Sequence, residues 1–235
     1  MTSESEVVKV RARVGIPVQE RLLTDVFMRH ASSILRAGPG RSTYAIPEAE
    51  IGAGRPDVVL VAISTNAVDA IRRGGLRLAS PLAARALDLK ISADDLGVTL
   101  AHARSVRRQL RQDGWFDGDP FRTARLVKDS LAVEAKLKDW RRAVRQVSRF
   151  RTLFHQSAVV MPRQRLPKES DVVMDFYGCG LLFEADNEIS WFRPAVANDP
   201  PAWAAAWLVE LLVRGLEDGS AQRLSSSRNS LIASR

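Results

Sequence analysis

The chain has 235 residues, of which 46% are hydrophobic, so it is long enough to bury the core of one large domain or two small ones. Its formal net charge is +8, which predicts a polyanionic partner, with nucleic acid ahead of an anionic membrane surface. No apolar run approaches the roughly 20 residues of a membrane span, and the first residues do not form a signal peptide, so we expect a cytoplasmic protein without a membrane partner. The single cysteine, Cys179, excludes an internal disulfide and a cysteine-based zinc site.

The first part of the chain predicts one helix and two strands. Pro17 suits a first helical turn, and apolar residues then recur on one face, which predicts a helix from Pro17 to Met28. The apolar residues are Leu22, Leu23, Val26 and Phe27. Beyond a glycine- and proline-rich break we expect a strand from Tyr44 to Glu50 and a buried strand from Val58 to Ile63.

The middle of the chain predicts three helices followed by a strand. The helices are expected at Pro81 to Leu89, around Asp94 to Leu96 after a Ser92 cap, and at Leu100 to Gln112 after a Thr99 cap, with the strand at Phe121 to Val127. This order resembles a winged helix-turn-helix, which we expect to be a self-contained insert. Its third helix carries arginines expected to contact DNA, although a basic, solvated helix in a protein-docking module is the alternative. They are Arg104, Arg107, Arg108 and Arg111.

The second half predicts a strand-helix-strand unit, which favours parallel pairing of the two strands. Its elements are a strand from Leu131 to Leu137, a helix from Trp140 to His155 and a strand from Ser157 to Met161. A hairpin of Leu181 to Glu184 and Ile189 to Phe192 follows. Beyond Pro201 an apolar helix is expected to run to about Leu216, and the serine-rich tail from Ser220 is expected to be disordered.

Acidic residues near two of these strands suggest a metal site. Side chains alternate along a strand, so Glu134 and Lys136 point the same way. Asp57 stands at the start of the Val58 strand, and on a neighbouring strand it would complete a two-carboxylate site for Mg²⁺. Burying Glu134 and Lys136 would cost several kcal/mol unless they pair or bind metal. The alternative is a solvated ion pair on an exposed edge strand.

The order of elements and acids is similar to the core of the PD-(D/E)XK nuclease superfamily, from about Val18 to Ala195. The resemblance implies an α/β fold, a restriction-endonuclease-like mixed central sheet flanked by helices. It divides the chain into core segments 1–78 and 129–198, an inserted winged helix-turn-helix at 79–128, and a C-terminal helix and tail at 199–235. The implied catalytic residues are Asp57, Glu134, Lys136 and Gln146, and the expected metal ligands are Asp57, Glu134, Glu20 and Glu50.

These features predict a DNA endonuclease that uses Mg²⁺ or Mn²⁺. A second basic run beside the site supports DNA as the partner, and a helix suited to a major groove favours duplex DNA over RNA. The run includes Arg141, Arg142 and Arg145. The alternative function is a non-catalytic DNA-binding regulator with a degenerate nuclease-like core. Cutting both strands would favour a homodimer, for which the apolar C-terminal helix could supply the interface.

Overall fold

A computed structural model describes residues 18–74 and 77–224. It is a mixed α/β structure with one seven-stranded sheet flanked by helices. The strands are β1 (Arg41–Pro47), β2 (Val58–Ser64), β3 (Val127–Ala135), β4 (Gln156–Pro162), β5 (Gly180–Ala185), β6 (Glu188–Arg193) and β7 (Gln222–Leu224). The helices are α1 (Val18–Ile34), α2 (Thr65–Gly74), α3 (Pro81–Ala86), α4 (Leu100–Gln112), α5 (Trp140–Ser148), α6 (Glu169–Tyr177) and α7 (Ala202–Asp218).

The strand order is β6-β5-β4-β3-β2-β1-β7, and it explains how distant acids meet. Strands β3 and β4 are parallel, as the strand-helix-strand pattern predicts. Strand β5 is also parallel to β4, which was not predicted, and the remaining pairs are antiparallel. Strand β2 pairs with β3 although more than sixty residues separate them in sequence, with Val58 opposite Val133. Asp57 and Glu134 are the residues just outside that pair, so they lie side by side where these two inner strands end.

Apolar side chains on both faces of the sheet explain why β2 reads as a continuous apolar run. Leu60 points to the face covered by α1, where it joins the cluster of Phe27, whereas Val61 points to the opposite face. The helix α1 extends to Ile34, beyond its predicted end. Leu22 is 59% exposed, so its predicted place on the buried face of α1 is wrong.

The segment between α3 and β3 does not contain the predicted wing. Residues 121–126 form a turn and a short 3-10 helix instead of a strand, and Val127 already belongs to β3. The predicted helix around Asp94 is only a turn after the Ser92 cap, because Gly97 adopts a left-handed φ of 72° that ends it. The cap of α4 is confirmed, since the Thr99 hydroxyl accepts a hydrogen bond from the His102 amide.

The C-terminal helix α7 is buried within its own chain. It packs against α2, α3 and β1, and its apolar residues form one cluster with residues of the inserted segment and of the sheet. Trp207, Leu212 and Val213 are at most 4% exposed. Most of the apolar surface of this helix therefore covers the chain's own core, which gives no support to the predicted dimer interface.

The start of the predicted disordered tail is also corrected. Residues Gln222–Leu224 form β7, which pairs antiparallel with β1 at the sheet edge, so the tail is ordered at least to Leu224. The rest of the predicted tail lies outside the described residues. Among the described residues, no helix has the length and apolar character needed to cross a bilayer.

Candidate active site

The carboxylate of Asp57 is hydrogen-bonded to the strand that carries Glu134. Its Oδ2 accepts a 2.7 Å hydrogen bond from the backbone amide of Ala135, the residue between Glu134 and Lys136. Asp57 lies just before β2, whereas Ala135 is the last residue of β3. The site is thus built on the ends of two rigid, adjacent strands rather than on a free loop.

Lys136 lies between two carboxylates. Its Nζ is 3.2 Å from Glu134 Oε1 and 3.4 Å from Oε2 of Glu20, which reaches the site from α1. The side chain of Lys136 is 13% exposed, and that of Glu134 is 3% exposed. Glu20 therefore approaches the site, as predicted. The charges of Lys136 and Glu134 are shielded from most of the solvent.

Burial and crowding of the acids shift their proton affinities. Burial, followed by the charge of Asp57, raises the pKa of Glu134 to about 7. Burial also raises the pKa of Asp57, although the hydrogen bond from Ala135 opposes it. Burial alone would lower the pKa of Lys136, but the surrounding carboxylates outweigh burial and raise it, so the ammonium stays charged.

Two buried side-chain oxygens among the predicted catalytic residues lack a hydrogen-bond donor in the part of the chain that the structure describes. They are Oε2 of Glu134 and Oε1 of Gln146. Gln146 lies on α5, whose Ala143, Val144 and Val147 are fully buried and which packs against β3 and β4, whereas Gln146 itself is half-buried. A buried acceptor without a partner costs about 1–3 kcal/mol, so both oxygens favour a donor or a cation.

The residues fit a magnesium ion that is bound by few protein groups. Within residues 18–74 and 77–224, no group of three or more histidines, cysteines and acids is arranged to hold a metal. Mg²⁺ nevertheless often takes only one or two carboxylates and fills its other positions with water and substrate phosphate. Asp57 and Glu134 with the unpartnered Oε2 match that smaller ligand set.

Glu50 does not reach the site, contrary to its expected role as a ligand. It is exposed in the turn between β1 and β2, where its carboxylate accepts a hydrogen bond from the Gly52 amide and pairs with Arg55. The acid that sequence reasoning missed is Glu48, whose amide donates to the Asp57 carbonyl and whose charge raises the pKa of Asp57. The β1–β2 hairpin register could have revealed it, because Pro47 lies opposite Val58.

The predicted DNA-binding arginines divide into one structural and six exposed residues. Arg107 donates to the carbonyls of Ala86, Asp88 and Ile91, so its guanidinium fixes the turn before α4 and is not presented to solvent for DNA. The other six are exposed. They are Arg104, Arg108 and Arg111 on α4 and Arg141, Arg142 and Arg145 on α5. Arg141 is partly engaged, since it pairs with Glu169 and lies 4.7 Å from the ring centroid of Trp140.

Comparison of the chain with protein-family models, with curated proteins and with solved structures finds no match in any of the three.

Proposed function

We propose that the protein is a metal-dependent nuclease that hydrolyses phosphodiester bonds of DNA, with Asp57 and Glu134 as ligands of Mg²⁺ or Mn²⁺. The observation that carries the proposal is the convergence of Asp57, Glu134 and Lys136 at the β2–β3 edge. A buried ion pair contributes little to the stability of a fold, because the free energy of removing both charges from water offsets their attraction. Its presence therefore favours a role in chemistry. The order of elements and acids, which resembles the PD-(D/E)XK nuclease core, agrees with this proposal.

The side chains have distinct roles in this mechanism. When bound, the divalent cation would polarise the scissile phosphate and lower the pKa of a water molecule. Lys136, kept charged by its neighbours, donates to a phosphate oxygen and offsets the negative charge that grows in the transition state. The unpartnered Oε1 of Gln146 accepts a hydrogen bond from the attacking water and orients it.

The exposed arginines bind the substrate in the proposed complex. Those of α5 follow directly after the Glu134 strand and bring positive charge close to the site. Those of α4 lie on a helix that follows α3 and a turn, and we propose that these two helices act as a helix-turn-helix that engages the phosphates of duplex DNA without a wing. Neutralising phosphates in this way would make binding weaken steeply with salt.

Supercoiled plasmid incubated with Mg²⁺ or Mn²⁺ tests the proposal directly. The wild-type protein should nick or linearise the plasmid, and the double variant Asp57→Ala/Glu134→Ala should not. Glu50→Ala is the matched control, because it removes an exposed acid of the neighbouring turn and should leave cleavage unchanged. Plasmid cleavage retained by the double variant would refute the proposed site.

A non-catalytic DNA-binding protein is the second candidate. It is favoured by the six exposed arginines of α4 and α5, which can neutralise phosphates without a metal. This candidate predicts metal-independent binding. Measuring DNA affinity and cleavage together for Lys136→Ala separates the two, because only a nuclease would lose cleavage while keeping its affinity.

A further inference from the structure

A second concave site opens at the same edge of the sheet as the acids. It is a cavity of about 520 Å³ beyond the carboxyl end of β4, within the usual range of small-molecule sites. Its lining includes Arg163, Gln164, Arg165, Phe183 and Phe192. None of these residues has a role in the proposed hydrolysis, so the cavity needs an explanation of its own.

The cavity and the acidic site lie on the same face of the sheet. Glu134 lies opposite Val159 of β4, and Val159 belongs to the buried cluster that contains Phe183. The loop that lines the cavity contacts the segment just after β3, since Gln164 Nε2 donates to the carbonyl of Leu137 at 3.4 Å. Neighbouring strands are about 4.8 Å apart, so the cavity begins one or two strand spacings from Lys136.

Phe192 presents an aromatic face at the cavity. Its side chain is 62% exposed, which is unusual for a phenylalanine on a strand. Its ring is supported by the buried ring of Phe183, with a centroid separation of 4.9 Å and an interplanar angle of 47°. A supported ring that is left open to solvent can accept a planar group by stacking.

The uncompensated charge of the cavity is positive. Arg163 and Arg165 are exposed, and neither forms an ion pair with any residue of the described ranges. The acid in the lining, Asp171, is already paired with Arg193 at 3.0 Å. A ligand that combines a planar ring with a negative charge therefore fits the site better than a cation or a purely apolar group.

We propose that this cavity binds one unpaired nucleotide of a nucleic acid strand, with the base stacked on Phe192 and its phosphate held by Arg163 and Arg165. This inference rests on the proposed function, because a nucleic acid strand that enters the acidic site would pass this cavity next. Every base has an aromatic face, so the site tolerates any sequence but requires an unpaired nucleotide. It would thus favour substrates with a single-stranded end, flap or opened base pair beside the cleaved bond.

The test measures affinity for a fluorescent ten-nucleotide thymidine strand by anisotropy, in EDTA so that no cleavage occurs. A matched strand with abasic sugars carries the same phosphates without bases. The wild-type protein should bind the thymidine strand more tightly than the abasic one. Phe192→Ala should lose about fivefold or more in affinity for the thymidine strand and little for the abasic one.

Two further variants separate stacking from folding and from charge. Phe192→Tyr keeps an aromatic ring and should retain affinity, whereas Arg163→Ala/Arg165→Ala should weaken binding of both strands. Val172→Ala on α6 is the control, because it truncates a side chain that is 70% exposed outside the cavity lining. The inference is overturned if Phe192→Ala binds the thymidine strand like the wild type, or if the wild type does not distinguish the two strands. The proposed nuclease would fail separately, through plasmid cleavage that survives loss of Asp57 and Glu134.

Discussion

The backbone amide of Ala135 donates a 2.7 Å hydrogen bond to the carboxylate of Asp57, and these two residues are 78 positions apart in the chain. This bond fixes the first acid against the strand that carries Glu134 and Lys136. It also gives Asp57 a structural role besides its proposed role as a metal ligand, and the two roles can be separated by choosing the substitution.

Asp57→Asn should separate the hydrogen bond from the charge. The amide oxygen of asparagine can still accept from Ala135, so we expect little change in the free energy of unfolding. Plasmid cleavage should fall by at least about a hundredfold, because a neutral amide is a poor ligand for a hard cation. Asp57→Ala leaves the buried amide unpaired and should also destabilise the fold, by about 1–3 kcal/mol in urea denaturation. Full cleavage by Asp57→Asn would argue against Asp57 as a ligand.

Glu134→Gln should change how stability depends on pH. The folded-state pKa of Glu134 is raised to about 7, from 4.5 for a free side chain. Between these values the folded protein holds a proton that the unfolded chain has lost, so wild-type stability should fall as the pH rises through this window. At about 1.4 kcal/mol per pKa unit, the loss would approach roughly 3 kcal/mol at pH 8. The glutamine does not titrate and should lack this component.

The measurement is the free energy of unfolding at pH 4.5 and pH 8 for both proteins, without metal. Glu134→Gln should be more stable than the wild type by a margin that is larger at pH 8. Added Mg²⁺ should stabilise the wild type at pH 8 and stabilise Glu134→Gln less, since that variant keeps only the Asp57 carboxylate as a ligand. Identical pH profiles for the two proteins would contradict the raised pKa.

Lys136→Met should uncover the repulsion among the acids. Methionine fills similar space without the charge, so Glu134, Glu20 and Asp57 would face one another with no ammonium between them. Removing one member of a buried pair typically costs about 3–5 kcal/mol, and the cost should be larger at pH 8 than at pH 5, where Glu134 is protonated. Urea denaturation at the two pH values measures it. Lys136→Arg keeps the positive charge and should recover most of the stability.

Much of the strand framework could be predicted from sequence, because its signals are local. The run from Val58 to Ile63 matches β2, and the parallel pairing of β3 with β4 follows from the helix between them. The meeting of Asp57 with Glu134 required only that β2 and β3 be neighbours. The unpredicted elements had weaker signals: α2 begins directly at the end of β2, and β7 has only three residues.

Other features could not be predicted from the sequence because tertiary contacts decide them. The apolar surface of α7 is used inside its own chain, whereas composition alone cannot tell an intramolecular from an intermolecular partner. The spacing of arginines on α4 likewise does not show that Arg107 turns back to three carbonyls. Whether Glu48 or Glu50 lies beside Asp57 depended on the register of the β1–β2 hairpin.

Arg107 and Arg108 are adjacent in sequence and should give opposite results when changed to alanine. Arg107→Ala frees the carbonyls of Ala86, Asp88 and Ile91 and should lower the melting temperature, with DNA affinity reduced only through loss of folded protein. Arg108 is exposed, so Arg108→Ala should leave the melting temperature unchanged and weaken DNA binding. If Arg108 contacts a phosphate, the slope of log affinity against log salt should become shallower by about one. Anisotropy titrations of duplex DNA at several salt concentrations measure the slope, and an unchanged slope for Arg108→Ala would remove it from the proposed DNA-binding surface.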